Sequence, residues 1–141
     1  MRKVLKTLLL ILWLLLIYFF SSQNGIASAG LSTKVLTFIG NLINGIVKID
    51  VASFVKTFGL LIRKIAHFSE FFILFIIAKE CFKEYGNKKI IIVIVFCVAC
   101  AFLDEFHQLF IDGRSGQLLD VFIDSSGVLC SYLFWHRLLK K

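Results

Sequence analysis

Proline is absent from the 141 residues. No proline kink or Pro-rich linker is therefore encoded, and helices in this chain are free of that interruption. Charge is scarce, at 18% of residues, and acidic charge scarcer still, with nine Asp and Glu against sixteen Lys and Arg. A soluble domain of this length could not cover a 59% apolar composition and a mean hydropathy of +0.89 with so little polar surface. Lipid-facing helices have no such need. The four cysteines, Cys81, Cys97, Cys100 and Cys130, lie in or beside apolar runs. Cys97-x-x-Cys100 lacks the Gly/Pro setting of a redox loop and the nearby ligands of a zinc site, so these are read as small core residues. GxSxG, P-loop and HExxH patterns are missing, which removes the best-marked hydrolase and nucleotide chemistries. A net charge of +7 would raise nucleic acid as a partner in a soluble chain. Here the basic residues flank apolar runs with no interleaved aromatic stripe, so membrane lipid is the expected partner and nucleic acid is not. No cofactor is implied.

Long apolar runs are what the chain does have. Val4 to Phe20 is the first, preceded by Arg2 and Lys3 and broken early by Lys6, which can snorkel from a helix end. A span takes roughly 20 residues at about 1.5 Å each, so residues 4–20 make a short but workable one. A cleaved signal peptide is the competing reading, with Ala27-Ser28-Ala29 as its small-residue site, although the apolar core stops well before it. Further spans are expected over 63–82, 90–110 and 118–139. Between the first two, Ser21-Ser22-Gln23-Asn24-Gly25 reads as a turn. Leu31, Val35, Phe38, Leu42, Ile46 and Ile49 then recur at helical steps, with Lys34, Asn41, Asn44 and Lys48 among them. That stretch is expected to lie at the interface as an amphipathic helix or helix pair, or to re-enter the membrane. The expected fold is all-α, a single membrane domain over residues 1–141 with about four transmembrane helices.

Four spans place both termini on one side. That side would hold Arg2, Lys3, Lys6, Lys79, Lys83, Lys88, Lys89, Arg137, Lys140 and Lys141, ten of the sixteen basic residues. The other side carries fewer over a longer loop length, so both termini are assigned to the cytoplasm.

This orientation gathers polar residues at the outer face. Arg63, Lys64, His67 and Glu70 open the second span there. Asp104, Glu105, His107 and Gln108 close the third, Arg114 lies in the following loop, and Asp120 and Asp124 open the fourth. At helical spacing Arg63, His67 and Glu70 share a face, as do Asp104 and Gln108, and as do Asp120, Asp124, Gly127 and Ser131. A charge at mid-bilayer costs about 2.5–3.5 kcal/mol on insertion scales, so these groups should point inward and pair. The expected pairs are Arg63 or Lys64 with Glu70, Asp104 or Glu105, and Arg114 with Asp120 or Asp124. Six acids (Asp112 included) face three bases, so the layer is net negative and suited to shared protons or a cationic ligand. Arg63, Lys64, His67, Glu70, Asp104, Glu105, Gln108, Arg114, Asp120 and Asp124 are the candidate binding residues. A clamp that only fixes helix packing is the plainer reading, with Arg63 and Lys64 as interfacial anchors, His67 as a packing residue and Asp112 as a solvated loop residue.

The same residues bear a family resemblance. Ser21-Ser22-Gln23, Arg63-Lys64-x-x-His67-Phe68-x-Glu70, Asp104-Glu105-x-His107-Gln108, Gly113-Arg114 and Asp120-Val121-x-x-Asp124 occur in this order. Together they resemble the VanZ-like family of bacterial membrane proteins over essentially the whole chain. In that family the position of Asp124 is often asparagine. The resemblance implies several membrane helices in a bacterial plasma membrane. It also implies a link to low-level resistance to teicoplanin, a lipidated glycopeptide, but no defined reaction.

Three functions follow as expectations. The first is an envelope protein whose outer polar cavity binds a lipid headgroup, a cell-wall lipid intermediate or the lipoglycopeptide itself. The second is a membrane enzyme acting on a lipid-linked substrate, with His67, Glu70 or Asp104 as general base and Arg63 or Arg114 holding phosphate or carboxylate. The third is a metal site from Asp104-x-x-His107 with His67 and Glu70. The usual paired carboxylate motifs are missing, so no metal is assigned on sequence.

Overall fold

The computed structural model describes residues 2–83 and 90–139, and their regular structure is helical throughout. The elements are α1 (Arg2–Ser21), α2 (Gly25–Asn44), α3 (Val51–Phe82), α4 (Ile90–Gln108) and α5 (Leu118–Leu139). The expected all-α fold is the observed one. Lys88, Lys89, Lys140 and Lys141, used above for orientation, lie outside the described residues.

Local signals set the helix starts. Asn24 Oδ1 accepts from the Ala27 N–H at 2.8 Å and Asp50 Oδ1 from the Ala52 N–H at 3.1 Å, so each satisfies an N-terminal donor of its helix. α2 ends at Asn44, where the Gly45 N–H closes onto the Asn41 carbonyl at 3.1 Å. The apolar repeat that continues to Ile46 and Ile49 therefore runs past the end of the helix. α3 begins at Val51 instead of near Arg63, because the Asp50 cap starts a helix that continues unbroken into the expected second span. Ala27-Ser28-Ala29 lies inside α2.

α1, α3, α4 and α5 share one core. Phe71, Leu74, Phe75 and Ala78 of α3 are fully buried against Ile17, Val93, Cys97, Ala101 and Val128. All four cysteines are free thiols. α1 runs antiparallel to α3. Lys6 Nζ donates to the Glu80 carbonyl at 3.2 Å and lies 3.4 Å from its carboxylate, and Trp13 Nε1 donates to the Glu70 carbonyl at 3.0 Å. Leu5, Leu12, Ile91 and Phe122 point outward. In lipid such side chains need no cover, and helix association rests on packing and hydrogen bonds. Gly127 is central to that packing, since a Cβ there would collide with the Phe68 carbonyl oxygen of α3.

α2 packs on the first half of α3, with Gly40 against Val51 and Phe54. The α2–α3 hairpin thus continues from the end of the bundle where α1 stops. Length and apolarity would let α1, α2, α4 and α5 cross a membrane. α3 falls outside that set because Arg63, Lys64, Glu70, Lys79 and Glu80 interrupt its apolar stretch. α2 is therefore more apolar than an interfacial helix needs to be, and the central helix of the bundle is the charged one.

Candidate functional site

The bundle end at which α1 stops carries the polar layer. Its innermost member is Asp124 of α5, which is 0% exposed. Small residues at Gly127 and Ser131 bring α5 close to α3, and this seats Asp124 3.7 Å from Nδ1 of His67. Neither Asp124 oxygen has a hydrogen-bond partner among the described residues, and neither does His67 Nδ1. Asp104 and Glu105 enter the same space from α4 and are also buried.

Gln108 organises α4 from one turn further on. Its Nε2 donates to Asp104 Oδ2 at 2.9 Å and to Glu105 Oε1 at 3.3 Å. The backbone N–H of Gln117 donates to Glu105 Oε2 at 3.0 Å. That approach depends on Gly116, where a Cβ would strike the Glu105 carbonyl oxygen.

Arg114 departs from the expected pairing with Asp120 or Asp124. Its Nη2 donates to the Phe20 carbonyl at 2.9 Å, Nε to the Gln23 carbonyl at 3.1 Å and Nη1 to Gln108 Oε1 at 3.2 Å. α1 has no basic residue in its last turn, so its open carbonyls draw the guanidinium away from the carboxylates. Burial lowers the Arg114 pKa and neighbouring Arg63 adds to this, while Asp104, Glu105 and Glu70 oppose it. A guanidinium stays charged under such influences. The turn bearing Arg114 is fixed at Gly113, with φ of 71°, and the Gly25 N–H donates to the Asp112 carbonyl at 3.0 Å.

Lys64 pairs with Asp120 instead of with Glu70, Asp104 or Glu105. The reason is again α5, whose first turn lies beside α3. This pair is partly exposed, with side-chain exposures of 42% and 24%. A double-mutant cycle on Lys64→Ala and Asp120→Ala in detergent should therefore give a coupling below about 1 kcal/mol. A coupling several times larger would mean that the pair is shielded from water. Arg63 and the Glu70 carboxylate enter no hydrogen bond or ion pair among the described residues.

His107 does not join the acids. Its Nε2 is 3.2 Å from Ser22 Oγ, and its ring lies tilted against Tyr18 with centroids 5.0 Å apart. The expected Asp104–His107–His67–Glu70 grouping is thus replaced by His67, Asp104, Glu105 and Asp124. Sequence reasoning gave no site role to Ser22, Tyr18 or Gln117. Ser22 lay within a quoted motif, but only the end-to-end docking of α1 on the α4–α5 loop reveals its partner.

Apolar helices around buried acids, with a half-buried histidine and arginine beside them, define a multi-pass helical membrane protein with a polar interior. A family model described as VanZ/LLP1 matches residues 6–140. The chain belongs to that VanZ-like family. Comparison with curated proteins and with solved structures returned no match.

Proposed function

We propose that this VanZ-like envelope protein sits in a bacterial plasma membrane with both termini cytoplasmic. In this reading its polar layer, at the outer leaflet, engages the polar part of a lipid headgroup, a cell-wall lipid intermediate or a lipoglycopeptide. The observation that carries the reading is the buried Asp124 carboxylate, which faces His67 but has no hydrogen-bond partner among the described residues, in a net acidic layer. An inward charge of this kind in a membrane protein marks a ligand or ion site by default. Lys64 and Asp120 form its partly exposed rim. The orientation rests on the basic residues assigned to the cytoplasmic side.

Expression in a susceptible Gram-positive host should raise tolerance to teicoplanin by a few-fold while leaving vancomycin tolerance nearly unchanged. Equal teicoplanin susceptibility with and without the protein, once membrane insertion is verified, would remove the drug-linked part of the reading.

The His67–Asp124 juxtaposition favours a second reading, a membrane enzyme on a lipid-linked substrate. Asp124 would orient the imidazole and His67 would act as general base. Lipid profiles of cells carrying wild-type protein and His67→Ala separate the two. A lipid species whose level depends on His67 supports the enzyme.

A further inference from the structure

We propose that His67, Asp104, Glu105 and Asp124 form a binding site for a first-row divalent metal ion within the bundle. One ligand atom from each of the four lies within 4.8 Å of all the others. Ligands on opposite sides of an ion at about 2.0–2.4 Å are separated by roughly 4.0–4.8 Å, so the set has the size of a coordination shell. The four residues come from three helices, α3, α4 and α5, so the shell forms only when the bundle closes.

The clustering of acids is not the whole argument. Asp124 is fully buried, and both of its oxygens and His67 Nδ1 lack any hydrogen-bond partner among the described residues. Buried polar atoms are nearly always satisfied, and an unmodified carboxylate with two orphan oxygens calls for a missing partner. The 3.7 Å separation of His67 and Asp124 is too long for a hydrogen bond and suits two ligands of one ion. Three carboxylates in one buried space also repel each other, which a dication offsets and a lone imidazolium does only in part.

The outer contacts are those of a metal site. Gln108 holds Asp104 Oδ2 and Glu105 Oε1, and the Gln117 N–H holds Glu105 Oε2. Asp104 keeps its second oxygen for the ion. Such donors fix the orientation of ligating carboxylates. One imidazole with three carboxylates fits Zn²⁺, Mn²⁺ or Fe²⁺ better than a thiolate-seeking ion, and better than Mg²⁺, which retains its waters. The inference does not depend on which ligand the outer layer binds, and it holds for a protein with no link to any drug.

The test uses the full chain, tag removed, in detergent micelles. After EDTA treatment and dialysis, the protein is titrated with ZnCl₂, MnCl₂ and CoCl₂. Expected results are about one equivalent of Zn²⁺ or Mn²⁺ per chain by elemental analysis and a raised melting midpoint on loading. Bound Co²⁺ should show visible ligand-field bands of a nitrogen–oxygen site. Asp124→Asn should weaken Zn²⁺ binding at least tenfold, and Asp104→Asn with Asp124→Asn should abolish it. Glu80→Gln, whose carboxylate pairs with Lys6 and Lys83 at the other end of the bundle, should bind as wild type. The Co²⁺ spectrum of the wild-type protein keeps the proposal testable if the variants do not fold. Failure of the wild type to bind any of the three ions, or equal Zn²⁺ binding by folded Asp124→Asn, overturns it. Teicoplanin tolerance is scored separately, so loss of that phenotype with metal retained counts only against the functional proposal.

Discussion

A valine at Gly127 is expected to leave little correctly assembled protein. The Cβ of any residue there meets the Phe68 carbonyl oxygen and approaches the Phe72 nitrogen at 3.3 Å. Both obstacles are main chain of α3, so no rotamer change relieves the collision and the helices have to part. Parting withdraws Val128 from Phe71, Leu74 and Phe75, the fully buried centre of the core. Overpacking a tight core typically costs about 1–3 kcal/mol, and a collision with rigid backbone belongs at or above the upper end. Gly127→Ala should fall between valine and wild type. Gly30→Ala and Gly59→Ala are the controls, because a Cβ at either position has nothing within 4 Å. Both lie within helices and should be neutral or stabilising by about 0.4–1 kcal/mol. Size-exclusion profiles and thermal melts in detergent give the comparison. A Gly127→Val protein that melts like wild type would contradict the close α3–α5 contact.

Arg114→Ala is expected to loosen the whole polar end of the bundle. It removes hydrogen bonds to the Phe20 and Gln23 carbonyls and to Gln108, and Gln108 in turn holds Asp104 and Glu105. Charge-assisted hydrogen bonds are worth about 1.5–3 kcal/mol each and are not additive, so a loss on the order of 3 kcal/mol is expected. Arg114→Lys should recover only a minor part, since an ammonium cannot reproduce a fork spread over three acceptors. Hydrogen exchange gives a local signature. Amides near Ser22 and Gln23, which close the α1 terminus onto Tyr18 and Phe20, should exchange faster in the alanine variant. Unchanged protection there would show that the α1 end is held by something else.

The contrast between these two positions explains what the sequence made legible. The stripe of Asp120, Asp124, Gly127 and Ser131 is visible from helical spacing alone, and it does turn inward: Asp124 and Ser131 are buried and Gly127 meets α3. The ends of α4 and α5 were similarly readable, because apolar runs and polar loops mark them directly. Partners were not readable. Helical phase says which residues share a face, but not which helix that face meets. The pairing of Lys64 with Asp120, and of His67 with Asp124, follows from the α3–α5 contact. The reach of Arg114 to α1 follows from carbonyls that every helix leaves open at its end, which no side-chain pattern advertises. The early start of α3 had a written signal, Asp50, but one polar residue before a mixed stretch is a weaker mark than the apolar run that follows it.

The anchoring of α1 also has a temporal meaning. Of the five helices α1 leaves the ribosome before the rest, yet its lasting partners are Glu70, Glu80 and finally Arg114. Most of the chain must be synthesised before its terminal carbonyls are satisfied. The end of α1 is thus fastened late, and a nascent chain cut short before Arg114 would carry α1 as a tethered helix with that end open.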